Sequence, residues 1–282
     1  MPDGTEVPWN YDTLRDIAMM LTVDANGNDA TSPDFDPDNI VQFGYYNQWI
    51  QNIRALCNPF GAAELIDADG NAYWPDSYQE CVEWTFDAIW TDHFYPSQAY
   101  ADSELLATPN QFGSGNVAMA QTHLWFTCCI IDAPVDNWDM AVVPENADGV
   151  TTSKLHADTY RVYEGTEHPE AAFQVLTYLL GEAAPDLTLA YGALPIRESE
   201  QADYFAAQDA NYPQGVDWAV VNEMLQYPDI PSHESWVPNY SEAVARSGAF
   251  YSLLNTDGTI DLDAEIQTFL DDTQAIYDSA TP

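Results

Sequence analysis

The chain has 282 residues, enough to bury a sizeable core in one large or two ordinary domains. Hydrophobic residues make up 46% of it and aromatic residues 13%, which excludes a disordered chain. Its 46 acidic and 6 basic side chains give a net charge of −40, which excludes nucleic acid and an anionic membrane surface as partners, because both require clustered Lys and Arg.

No apolar run approaches the roughly 18 residues of a transmembrane helix. Met1-Pro-Asp-Gly4 has neither a charged n-region nor an apolar h-region, so the sequence predicts no signal peptide here. The charge predicts a solvated acidic surface that repels itself. Such a surface suits a salty medium, where the Debye length falls to about 3 Å at 1 M. The melting temperature is therefore expected to climb steadily from low to molar sodium chloride. A flat or falling curve would contradict a surface under electrostatic strain.

In chain order, Trp9 to Leu21 reads as a helix, with Leu14, Ile17, Ala18 and Leu21 on one face. The next segment, Thr22-Val-Asp-Ala-Asn-Gly27, reads as a turn. Its Asp24, Asn26 and Asn28 have calcium-loop spacing, but the glycine is one place early and no glutamate closes the loop. Asp67-Ala-Asp-Gly-Asn71 is a feature of the same kind. Between them, Phe43-Gly-Tyr-Tyr-Asn-Gln-Trp49 sets aromatics beside amides. That mixture suits a sugar, whose apolar face takes rings and whose hydroxyls take amides. Packing at the start of a helix explains the same run equally well.

Ser77 to Phe94 reads as a second helix, with Ser77 and Glu80 as a capping box and Val82, Phe86, Ile89 and Trp90 as its core stripe. After Gly113 and Gly115, Val117 and Met119 alternate with small or polar residues as in a short strand. Trp125 leaves the polar segment Gln121-Thr-His123. Met140, Val142 and Val143 predict a buried strand that Pro144 ends. Asp158 to Tyr163 also alternates as a strand. A helix follows, with Pro169 in its first turn and Gly181 as its stop; His168 reads as a turn residue. Tyr227 to Tyr240 is punctuated by proline and carries aromatic and polar groups, the composition of a binding loop. Asp261 caps a last helix with Ile266, Phe269, Leu270, Thr273 and Ile276 on one face.

Four cysteines allow three pairings if all are bridged. None has zinc-site spacing. Cys57–Cys81 is the most plausible bridge, buried thiols being the alternative, and a Cys128–Cys129 bridge would be strained.

The order of these segments resembles the extracellular solute-binding proteins of sugar ABC importers. Trp9, Leu21, Thr22, Asp24 and Gly27 match the family's entry motif, with Leu14 and Ala18 near their places. Phe112, Gly115, Ala118, Met119, Trp125, Asp139 and Pro144 match its strand, its sugar-side tryptophan and its strand toward the hinge. His168-Pro-Glu-Ala-Ala-Phe173 and Gly192-Ala-Leu-Pro-Ile-Arg197 follow in the family's order.

The resemblance implies an α/β, helix-rich periplasmic binding protein type II fold, mostly lobe II with part of lobe I. Residues 1–149 would be the first part of lobe II, 150–199 a lobe I segment, and 200–282 a helical return mostly to lobe II. It implies Ala171, Ala172, Phe173, Leu176 and Leu179 as core positions. It also implies an N-terminally truncated chain, with apolar surface exposed where the rest of lobe I would pack.

Functionally, the resemblance implies an extracytoplasmic, periplasmic or lipoprotein-anchored monomer. It would capture a sugar, an oligosaccharide above all, between two lobes and deliver it to the membrane subunits of an ABC permease. No bond is made or broken, and no cofactor or metal is expected. The candidate ligand residues are Tyr46, Gln48, Trp49, Trp125, Asp158 and Trp236. Two other classes remain open from the sequence: a glycoside hydrolase or lyase using paired carboxylates, and an acidic cell-surface structural protein.

Overall fold

Helix α1 (Tyr11–Leu21) begins where Asn10 accepts the Thr13 N–H at 2.9 Å, and it buries Tyr11, Leu14 and Ala18. Leu21, expected on the same face, is exposed. Thr22 takes the inward place instead: its hydroxyl donates to the Ala18 carbonyl at 2.8 Å and accepts from the Gly44 N–H at 2.9 Å. The computed structural model describes residues 6–133, 135, 137–231 and 233–280. They divide into two compact units, one formed by 1–121, 142–155 and 223–282, the other by 122–141 and 156–222.

The first unit holds a three-stranded sheet in the order β1 (Val23–Asp24), β2 (Ile40–Asn47), β3 (Val117–Gln121). β1 and β2 are antiparallel; β2 and β3 are parallel, with Phe43 opposite Val117 and Tyr45 opposite Met119. The aromatic run at Phe43 is therefore strand, where the sequence left a helix start open. α1 lies directly on this strand, because a Cβ at Gly44 would sit 1.9 Å from the Ala18 carbonyl oxygen.

α2 (Ile53–Cys57) and α3 (Asp76–Trp90) are joined by the Cys57–Cys81 disulfide, with both cysteines fully buried and Cα atoms 5.4 Å apart. α4 (Gln98–Ala101) is short, and α10 (Tyr240–Thr256) and α11 (Leu262–Asp278) close the core. There Phe250 stacks on Phe269 at 5.5 Å, beside the fully buried Leu254. Asp261 caps α11 as expected, accepting the Ala264 N–H at 3.1 Å. The expected capping box of α3 does not form. Pro75 stands at the N-cap, and no side chain caps the helix.

The second unit holds α5 (Thr127–Ile130), α6 (Pro169–Leu180), α7 (Ala184–Tyr191) and α8 (Glu198–Asn211), and the chain leaves it within α9 (Ala219–Met224). Its interior is a knot of aromatic and hydrogen-bonded groups. Trp138 meets Tyr212 and Trp218 edge-on at 5.0 and 6.1 Å, and Tyr204 donates to the Gly192 carbonyl at 2.7 Å.

Three sequence expectations fail around this unit. Asp158–Tyr163 alternates but forms no strand, and each of its residues is exposed, because none of the described residues offers it a ladder partner. Met140–Val143 is neither strand nor buried; Val142 gives its carbonyl to the Trp9 indole at 2.7 Å, not to a neighbouring strand. α6 buries no residue: Phe173, which the resemblance put in the core, is 60% exposed, and Leu176 and Leu179 are only half-buried. Between α6 and Tyr160–Tyr163 lies an open apolar recess of about 390 Å³.

Candidate functional site

The loop at 227–240 is held by buried charge. Asp229, 1% exposed, accepts from Asn58 Nδ2 at 2.7 Å, Lys154 Nζ at 3.0 Å and the Leu155 N–H at 2.9 Å. Glu234 accepts the Leu65 N–H at 2.7 Å and pairs with Arg54 at 3.4 Å. Arg54 also donates to the Pro231 carbonyl. Two of the six basic residues of this acidic chain are thus spent on pinning one loop, Arg54 from α2 and Lys154 from the segment that bridges Ser153 to Pro228. From that anchored backbone Ile230 and Trp236 project, 79% and 51% exposed, and Trp236 meets His233 edge-on at 5.2 Å.

The other expected residues of this unit follow β2. The Gln48 N–H continues the ladder to the Gln121 carbonyl at 2.9 Å, and its side chain, 1% exposed, donates to Gln111 at 3.3 Å. Its buried side-chain oxygen accepts nothing from the described residues. Tyr46 is half-buried against Tyr95 at 5.2 Å, and burial holds its hydroxyl protonated, well above the ordinary tyrosine value. Trp49 is 48% exposed and has a left-handed backbone, φ 65°. A bulky residue in that region costs about 1–3 kcal/mol, and such outliers cluster at ligand sites. α2 begins only a few residues after Trp49, so the helix that anchors the 227–240 loop also follows this tryptophan.

In the second unit Trp125 belongs to a line of stacked rings. It lies parallel to Tyr191 at 6.2 Å and to His123 at 6.0 Å, and His123 stacks in turn on His156 at 4.4 Å. Gly192 permits this. Its φ is +85°, and a Cβ there would meet the Thr127 hydroxyl at 2.5 Å and the Trp125 carbonyl at 2.8 Å. Asp158 is exposed, and partial desolvation followed by its negative charge raises the Tyr191 hydroxyl. The structure therefore gathers Tyr46, Gln48, Trp49 and Trp236 in one unit and Trp125 and Asp158 in the other. Sequence reasoning missed Tyr191, His123 and His156. The only trace in the chain was their spacing from Trp125, which carries no contact information.

The calcium-like turn is a hydrogen-bonded turn. Burial pushes the Asp24 carboxyl up, but N–H donors from Asn28, Asp36 and Asn26 outweigh it and hold the group at about 2. Oxygens so occupied are poor cation ligands. Among the described residues no group of three or more His, Cys, Asp or Glu could hold a metal ion. Burial raises the Glu234 carboxyl, as a glycosidase acid would need, but Arg54 and the Leu65 N–H enclose it.

No protein-family model and no curated protein sequence matches the chain. Solved structures do. UspC of Mycobacterium tuberculosis is 24% identical, with a TM-score of 0.64, over 95% of this chain and 65% of its own. The ABC substrate-binding protein Lmo0181 of Listeria monocytogenes, in complex with cycloalternan, is 17% identical, with a TM-score of 0.71 over 97% of this chain and 66% of its own. The maltose/maltodextrin-binding domain MalE of Bdellovibrio bacteriovorus, bound to maltotriose, is 17% identical, with a TM-score of 0.65 over 97% and 67%. The chain spans about two thirds of the length of these proteins. It has their fold, the periplasmic binding protein type II fold, as its motifs implied.

Proposed function

We propose that this chain is the solute-capturing component of an ABC importer, that its solute is a sugar, and that it works outside the cytoplasm, periplasmic or lipid-anchored at the surface. One observation carries the proposal: large aromatic faces stand exposed on backbone that buried groups hold rigid, in a fold shared with sugar-binding proteins. Trp236 rides on the loop pinned by Asp229 and Glu234. Trp49 stands in the turn two residues beyond β2, and Trp125, half-buried, is braced by Tyr191. Rings of this kind cover the apolar face of a pyranose, and a neighbouring carboxylate, Asp158 here, bonds hydroxyls; Gln48, buried against Gln111, braces the strand end beneath Trp49. The protein returns its solute intact to the permease subunits and acts as a monomer. The enclosure of Glu234 weighs against a hydrolase.

Trp125→Ala and Trp236→Ala test the reading. A core aromatic cut to alanine costs about 3–5 kcal/mol of stability. These two should cost clearly less in urea midpoint and should each weaken sugar binding, by about 0.5–1.5 kcal/mol beyond the buried-area effect. A collapsed midpoint with unchanged affinity per folded molecule would make both rings core residues and sink the assignment.

A further inference from the structure

Cys128 and Cys129 are neighbours in α5, both exposed, with their sulfurs 2.9 Å apart. Adjacent side chains on a helix normally diverge, so this approach means that both have turned toward each other. Cys128 also lines a recess of about 270 Å³, together with Thr127, Asp186, Leu189 and Tyr212, which leaves a small reagent room to reach the pair. The pair differs from Cys57–Cys81, which is already bridged and fully buried.

We propose that Cys128 and Cys129 form a redox-active vicinal dithiol, a modification site that closes to an internal disulfide by exchange with a low-molecular-weight disulfide. One cysteine thiolate attacks the external disulfide RSSR, forming a mixed disulfide and releasing RS⁻, which takes up the proton that the attacking thiol lost. The second cysteine then displaces the remaining RS⁻, giving the ring and a second RSH. The pair loses two hydrogens and two electrons, and the reagent gains them. Partial desolvation and the contact with Cys129 push the Cys128 thiol up to about 11. Cys128 is thus a poor attacker at neutral pH, so the exchange should quicken as the pH rises.

The ring cannot form on an undisturbed helix. Consecutive Cα atoms stand about 3.8 Å apart, below the roughly 4.4–6.8 Å that disulfides span. Closure therefore opens the turn at α5, and a bridge so strained is readily reduced again. That turn is not isolated. The Thr127 carbonyl accepts the Tyr212 hydroxyl, the Thr127 hydroxyl donates to the Leu124 carbonyl at 3.0 Å, and Gly192 lies against Trp125. Oxidation of the pair should therefore disturb the Trp125–Tyr191 stack, whatever solute the protein binds.

The test incubates the full chain in oxidised and reduced glutathione mixtures. The peptide holding both cysteines is then mapped by mass spectrometry, and amide exchange is followed at Thr127–Ile131. The expected result is loss of both thiols with a mass lower by two hydrogens, reversal by mild reductant that spares Cys57–Cys81, and faster exchange at Thr127–Ile131 only in the oxidised form. The Cys128→Ser, Cys129→Ser double variant should show no redox-dependent exchange. Unreacted thiols, stable glutathione adducts, cross-linked dimers, or a redox-dependent exchange change that survives in the double variant would overturn the proposal.

Discussion

Asp229→Ala is expected to destabilise the chain by about 3–5 kcal/mol, the cost of removing one partner from a buried charge network. The alanine takes the carboxylate away from Lys154 Nζ, Asn58 Nδ2 and the Leu155 N–H together. Lys154 is then left in a low-exposure site without this counter-charge. Asp229→Asn should cost less, because an amide oxygen can still accept while the charge is gone. The urea midpoint measures both. A loss under about 1 kcal/mol for the alanine would place the group among exposed ion pairs, which contribute little. The same variant should loosen the loop that carries Trp236, so sugar affinity should fall along with stability.

Breaking Cys57–Cys81 is expected to cost about 3–4 kcal/mol on the chain-entropy account of a disulfide loop of this length. The two cysteines are 24 residues apart in sequence and join α2 to α3. The double change to serine adds two buried hydroxyls, so the double change to alanine is the cleaner probe. Its unfolding midpoint should fall, and that of the native chain should fall by a similar amount under strong reductant. An unchanged midpoint in both would mean that packing around Tyr78 and Val82 holds the helices without the bond.

What the sequence made legible is what local physics decides. The cap of α11 at Asp261, the Pro169 start and Gly181 stop of α6, and the buried face of α1 depend on residues within a few positions of each other. The strand at Val117–Gln121 was legible because β2 supplies its ladder in the same unit. Asp158–Tyr163 has equal alternation but no partner strand among the described residues, and alternation without a partner leaves only an exposed segment. α6 shows the same limit: its apolar residues predict burial, but burial needs a surface to meet.

The site was legible as a composition and not as an arrangement. Trp236 on a proline-rich loop was evident. The pinning of that loop by Arg54, Lys154, Asp229 and Glu234 was not, because the anchors lie up to 177 residues apart in sequence. The small basic content held a clue, since a cation in so acidic a chain stands out against the background. Gln48 reads from the sequence as an amide for sugar hydroxyls but lies buried, because its N–H continues the ladder to Gln121 one residue past β2.

The most direct test of the central claim is saturation-transfer NMR on the full chain with maltotriose, a cyclic glucan and free glucose, followed by analysis of the recovered sugar. The account predicts saturable transfer to at least one of the oligosaccharides, weakened in Trp125→Ala and Trp236→Ala, with every sugar recovered unchanged. Transfer to none of them at millimolar concentration, or appearance of new reducing ends in the recovered sugar, would contradict it.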